Sequence, residues 1–118
     1  MVVSQGDVFW AVLPEPFGGQ SKPRPVVVVQ SDMYNRAGIN SVVVCHFTTT
    51  PGREFSPGNV VVGKGEANLP SRSIVNVTQV ATVTRAQLVE KIGTLSSGRL
   101  AEVLAGVCLV LGVEGSSK

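Results

Sequence analysis

The chain reads as mainly β with α: a small, strongly bent sheet or partly open barrel, then a short helix and a longer C-terminal helix. Three observations predict this class. Short β-branched runs recur at close spacing through the first two-thirds of the sequence. Helical periodicity appears only near the end. The chain has 118 residues, 12.3 kDa, which fits one domain over residues 1–118. A folded chain of this size buries roughly two-thirds of its unfolded surface.

The elements follow in order. Residues 8–13 (Val-Phe-Trp-Ala-Val-Leu) form a strand that stops at Pro14. Pro25-Val26-Val27-Val28-Val29-Gln30 is a continuous valine run, as expected of a strand buried on both faces. Residues 41–47 make a second such run. Residues 60–62 and 73–77 add two more, and residues 79–83 extend or follow the last. Thr84-Arg85-Ala86-Gln87 fits a capping box and predicts a short helix through Lys91, ending at Gly93. Ser96 or Ser97 then caps a longer helix ending near Gly112. Leu100, Val103, Leu104, Val107 and Leu111 form one core stripe, widened by Ala101, Ala105, Cys108 and Leu109. A helix this apolar calls for cover, from its own sheet or from a second chain. Three loops, residues 14–23, 51–58 and 63–70, carry most of the polar side chains.

Composition narrows the function. Charged residues are 15% and hydrophobic residues 43% of the chain, against about 25% charged in ordinary globular chains. Intrinsic disorder and a polybasic tail are excluded. The N-terminus shows no secretory pattern, and the longest apolar stretch is interrupted by Glu102 and too short to span a bilayer. Cys45 and Cys108 sit in apolar surroundings and read as two buried free thiols of a cytoplasmic protein. With His46 the single histidine, no zinc set forms, so neither metal nor cofactor is expected.

Neither a P-loop nor a GxGxxG motif follows any strand, and one histidine is poor material for a Ser-His-Asp set. What remains is a cation with hydroxyls. Arg24 stands between Pro23 and Pro25, where the following proline biases it to an extended backbone and a rigid launch point. Thr48-Thr49-Thr50 ends the next apolar strand. If the two strands are antiparallel neighbours, these residues meet at one rim, and a guanidinium beside hydroxyls binds phosphate. Each residue also has a structural reading. Arg24 can close a loop, the threonines can reflect β-propensity, His46 and Gln79 can be ordinary sheet residues, and Phe17 can stack a base or anchor its loop.

Ordered motifs carry a resemblance. Gly6-Asp7-Val8-Phe9-Trp10, Lys22-Pro23-Arg24-Pro25-Val26-Val27-Val28, and Val42-Val43-Val44-Cys45-His46-Phe47-Thr48 lie in sequence. Ser73-Ile74-Val75-Asn76-Val77-Thr78-Gln79-Val80 and Ile92-Gly93-Thr94-Leu95-Ser96 follow. In this order and spacing they resemble the MazF/PemK toxin family over nearly the whole chain. The resemblance implies an SH3-like (CcdB/PemK-like) barrel, a homodimer, and a metal- and ribosome-independent endoribonuclease acting on single-stranded RNA. It implies 2′-OH attack leaving 2′,3′-cyclic phosphate and 5′-OH ends, and inhibition by a cognate MazE-like antitoxin. It places the catalytic roles on Arg24 and Thr48. Substrate contacts are expected from Phe17, Gly19, Gln20, Ser21, Thr49, Arg53 and Gln79, with Arg72 a further backbone contact. Many relatives carry Gly-Ser-Glu where this chain has Gly18-Gly19-Gln20, so no carboxylate base is available there and Ser21 falls one position late. The competing readings are a CcdB-like gyrase poison, which relies on a C-terminal aromatic absent here, and a non-catalytic SH3-like peptide module.

Overall fold

The computed structural model describes residues 1–13 and 22–113. In them the order is β1 (Asp7–Val12), β2 (Pro23–Val28), α1 (Asp32–Asn35), β3 (Ser41–Thr48), β4 (Val60–Val62), β5 (Ser73–Thr84), β6 (Leu88–Thr94) and α2 (Ser97–Leu111). The strands form one sheet in the order β4-β5-β3-β2-β1-β6, with every neighbouring pair antiparallel. The sheet is curled and open between β4 and β6, with α2 packed on β4 and β5.

The valine runs explain the curl. In β2, Val26 and Val28 enter a cluster with Phe9, Ala11, Val42, Val44 and Leu88. Val27, between them, enters a second cluster with Val8, Cys45, Val75, Val77 and Val103. Successive side chains of a strand point to opposite faces, so β2 is buried on both sides, as its unbroken apolar pattern predicts. Each fully buried valine contributes roughly 1.5–3 kcal/mol relative to exposure.

Three features depart from the sequence reading. The helix expected through Lys91 is a single 3₁₀ turn, Arg85–Gln87, and the chain continues as β6. The cap itself is real: the Thr84 amide donates to Gln87 Oε1 at 2.8 Å. Residues 88–94 are drawn into strand by β1, whose edge offers a ladder from Asp7 to Ala11. A local helix signal is a weak prior against such pairing. Second, α1 was not foreseen, because one turn carries no periodicity. It is held by an amide exchange between Gln30 and Asn35, both bonds 2.9 Å, which also closes the β2–β3 connection. Third, Cys108 is only half-buried, although Cys45 is buried as expected; both are free.

α2 matches its predicted limits. Ser96 Oγ accepts from the Arg99 amide at 3.2 Å, and Gly112 ends the helix at φ 72°, a left-handed conformation that glycine adopts without strain. Arg99 ties the first turn to Glu66 at 2.9 Å and to Glu102 at 3.0 Å. Of the predicted stripe, only Val103 is fully buried, and it is joined by Gly106. Leu109 and Leu111 stay 59% and 68% exposed. The chain's own sheet therefore covers the Val103–Gly106 side of α2 and leaves Leu109 and Leu111, on different sides of the helix, bare. No helix among the described residues is long and apolar enough to cross a membrane.

Gly106 sets how closely α2 approaches the sheet. A Cβ there would collide with the Gly58 carbonyl oxygen and lie 2.9 Å from Val77 Cγ1. Gly98, on the same helix, has open space. Urea denaturation should show Gly106→Ala destabilised by about 1–3 kcal/mol or more. Gly98→Ala should be neutral or stabilised by up to about 1 kcal/mol.

Candidate active site

The site begins with register. β2 and β3 pair as Val26↔His46, Val27↔Cys45 and Val28↔Val44. Continuing outward by two residues sets Arg24 opposite Thr48, at the rim where both strands end. Paired residues of antiparallel strands share a face. Arg24 is fixed from its other side as well, in register with Ala11 of β1. The two strands that the sequence offered as neighbours are neighbours, and they run antiparallel.

At that rim lies a cavity of about 250 Å³ lined by Arg24, Pro25, Phe47, Thr48, Thr49, Thr50 and Ser73. Its described lining holds one cation, four hydroxyls and no carboxylate. The hydroxyls are organised by the backbone. The Thr50 amide donates to Thr48 Oγ1 at 3.1 Å, and the Thr48 and Thr50 hydroxyls lie 3.1 Å apart. Ser73, buried, bonds the Ser71 carbonyl at 3.1 Å. Arg24 forms no ion pair with the described residues, whereas Arg36, Arg72, Lys91 and Arg99 each do.

His46 stands one paired position inside this rim. Its pKa is lowered from 6.5, first by burial and then by the nearby charge of Arg24. The imidazole is therefore neutral at pH 7. Across β3, His46 pairs with Asn76 of β5, while the adjacent Cys45 pairs with Val80. The jump from Asn76 to Val80 leaves residues 77–79 as a bulge, and bulges re-aim side chains beside sites. Gln79 lies in it, exposed, and accepts from Asn76 Nδ2 at 3.0 Å. Thr78 Oγ1 lies 3.0 Å from Asn76 Oδ1. Burial also pushes the Cys45 thiol up to about 11, so it is a packing residue and not a nucleophile.

Residues 4–111 match the profile of the family described as the PemK-like, MazF-like toxin of type II toxin-antitoxin systems. The chain belongs to this toxin family. It is 36% identical over 112 residues to the endoribonuclease MazF2 of Mycobacterium bovis, covering 94% of this chain and 98% of that protein. The endoribonuclease MazF6 of Mycobacterium tuberculosis matches with the same values. Among solved structures, a mycobacterial endoribonuclease in complex with its cognate antitoxin is similar with TM-score 0.77 at 21% identity, over 96% of this chain and 98% of that one. A MazE-MazF complex from Deinococcus radiodurans is similar with TM-score 0.77 at 19% identity, over 97% and 100%. At these identities the structures show a shared fold, and it is the expected toxin barrel.

Within this toxin fold, the residues expected from sequence do not all come together. Arg24, Thr48 and Thr49 are brought into one cavity. Gln79 is not among the cavity lining; it is held by Asn76, which pairs with His46. Arg53 is not among the cavity lining; it sits exposed in a 3₁₀ turn, its carbonyl accepting from Asn59 Nδ2 at 2.9 Å. Arg72 pairs with Glu54 at 3.6 Å. Phe17, Gly19, Gln20 and Ser21 lie outside the described residues. Ser73 and Asn76 were not singled out. Their signal is polar residues interrupting the apolar run of residues 73–77; strand pairing sets Ser73 at the cavity and Asn76 opposite His46.

The single histidine makes one prediction direct. A proton-NMR titration should place the His46 pKa below 6.5, and Arg24→Ala should raise it without restoring 6.5, because burial is the larger cause. The folded state resists protonation that the unfolded chain accepts. Stability should therefore fall as pH drops below about 6.5 and level off beneath the folded pKa. His46→Gln should remove that slope.

Proposed function

We propose that this toxin is a sequence-specific endoribonuclease that cuts single-stranded RNA without a metal ion or the ribosome. The observation that carries the reading is the meeting of Arg24 with the Thr48–Thr50 hydroxyls in one cavity. The activity named for the relatives of 36% identity supports it.

The ribose 2′-OH attacks the adjacent phosphorus and the 5′-oxygen leaves. The products are a 2′,3′-cyclic phosphate and a 5′-OH end. Arg24 offers a planar pair of donors to the phosphoryl oxygens as negative charge builds on them. Pro23 and Pro25 hold its backbone, so little reorganisation is needed at the moment of reaction. Thr48, its oxygen fixed by the Thr50 amide, donates a hydrogen bond to a phosphoryl oxygen. Thr49 and Gln79 contact the flanking strand. The lining holds no carboxylate among its described residues, so an anion enters without like-charge repulsion. Arg53 and the loop residues Phe17, Gly19, Gln20 and Ser21 complete the RNA contacts.

The chain acts as one cytoplasmic toxin domain over residues 1–118, pairs as a homodimer and is silenced by a cognate MazE-like antitoxin. The bare flank of α2 supports the pairing. Leu111 is exposed there, beside an apolar groove lined by Tyr34, Leu104, Val107 and Cys108. Contiguous exposed apolar surface marks a partner surface.

Cleavage of an RNA oligonucleotide by purified protein tests the reaction. Cutting should persist in excess EDTA, stop when the sugar at the cut is 2′-deoxy, and leave 5′-OH ends. Arg24→Ala should lower the rate about a thousandfold or more. Thr48→Val should cost about a hundredfold, near 3 kcal/mol. Both variants should keep wild-type circular dichroism. Hydrolytic 3′-OH products, or cutting at a 2′-deoxy position, would overturn the mechanism.

A further inference from the structure

We infer that a recess beside Trp10 holds a base of the RNA strand next to the cut, and that it selects a base bearing an exocyclic amino group. The inference rests on the proposed nuclease reading and adds a site to it.

The recess has a volume of about 410 Å³ and is lined, among the described residues, by Trp10, Pro23, Val89 and Glu90. That volume lies in the range of small-ligand sites. Its position follows from register. Trp10 pairs with Pro25 of β2 on one side and with Glu90 of β6 on the other. Pro25 also lines the Arg24 cavity. A cross-strand row, Pro25–Trp10–Glu90, thus runs from Pro25 at the cavity to the recess, on the face of β2 opposite the one that Arg24 shares with Ala11. Adjacent strands are about 4.8 Å apart, so β2 and β6 are separated by about 10 Å. A strand with its phosphate at Arg24 reaches Trp10 by turning over the Pro23–Pro25 rim, where Pro25 lines the cavity and pairs with Trp10.

The chemistry of the lining favours a base over a phosphate. Its one charged described side chain is the Glu90 carboxylate, which repels phosphate. Trp10, only half-buried, supplies an indole face, and Pro23 and Val89 supply apolar walls; Val89 is 52% exposed. Stacking on an aromatic face tolerates any base. Discrimination then falls to Glu90. A carboxylate accepts from the amino group of cytosine, adenine or guanine, whereas the carbonyl oxygens of uracil oppose it.

Tryptophan fluorescence reads this site alone, because the chain has one Trp. Once the cut is mapped, oligonucleotides with a 2′-deoxy sugar at the cut are titrated against the protein, each with a different flanking base. Bound RNA should change the Trp10 emission. Replacing the amino-bearing base by uracil should weaken binding about tenfold or more. Glu90→Gln, at an exposed position, should shrink that gap severalfold, since an amide can also donate to uracil. In cleavage assays on unmodified RNA, Trp10→Leu should raise KM about tenfold or more with kcat little changed, and Trp10→Phe should recover most of the loss. Emission unmoved by bound RNA overturns the inference, as does a wild-type base profile in Glu90→Gln. Emission moved by an antitoxin polypeptide and not by RNA overturns it equally. Absence of cleavage by the wild-type protein tests the nuclease reading separately, because the emission change needs no cutting.

Discussion

The β2–β3 ladder is the constraint on which the rest depends. Its three pairs, Val26↔His46, Val27↔Cys45 and Val28↔Val44, are buried except for the half-buried His46, and they fix where Arg24 and Thr48 meet. A slip of one residue would turn every valine of β2 to the wrong cluster. Both clusters are apolar, so a slip could pass on hydrophobicity alone. The Gln30–Asn35 amide lock and the β1 ladder, Val8↔Val27 through Val12↔Pro23, remove that freedom. The site's geometry is thus held by the same pairing that builds the core.

Charge is arranged with similar economy. The net charge is only +2, which at first argues against an RNA partner. Among the described residues, however, Arg36, Arg72, Lys91 and Arg99 are neutralised by carboxylates, and Arg85 is held by the carbonyls of Ile39 and Asn35. Lys22, Arg53 and Lys64 are exposed, and Arg24 is the cation that lines the cavity among the described residues. Such surface pairs add little stability, about 0–1 kcal/mol each. A reaction that needs one placed guanidinium and a few hydroxyls does not need a basic surface.

Much of this was legible in the amino-acid order. The valine runs became β2, β3 and β4, Ser96 and Gly112 bounded α2, and Arg24 and Thr48 stood out as residues at strand ends. Residues 85–91 show where local reading failed. A genuine capping box began there, but the edge of β1 claimed the following residues as β6. The Val77–Gln79 bulge was equally invisible, since a bulge is a mismatch between two strands and has no signature in one. Ser73 and Asn76 gain their places from strand pairing, which a single window of sequence does not show. The stripe of α2 was read correctly as apolar, yet only its Val103–Gly106 flank found cover.

The sequence by itself determined the class of the protein: its β-branched runs call for strands buried on both faces, and its one proline-flanked arginine is biased to an extended backbone where the second of those runs begins. These are properties of short windows, governed by backbone preference and side-chain alternation. Tertiary structure decided what such windows cannot express. It chose the partner of each strand, turned residues 88–94 into an edge, and brought Arg24 to Thr48 across a gap of two dozen positions. It also laid Trp10 between Pro25 and Glu90. Those choices depend on which hydrogen-bonding edges are left open once the core has closed, and that is settled only by the whole chain.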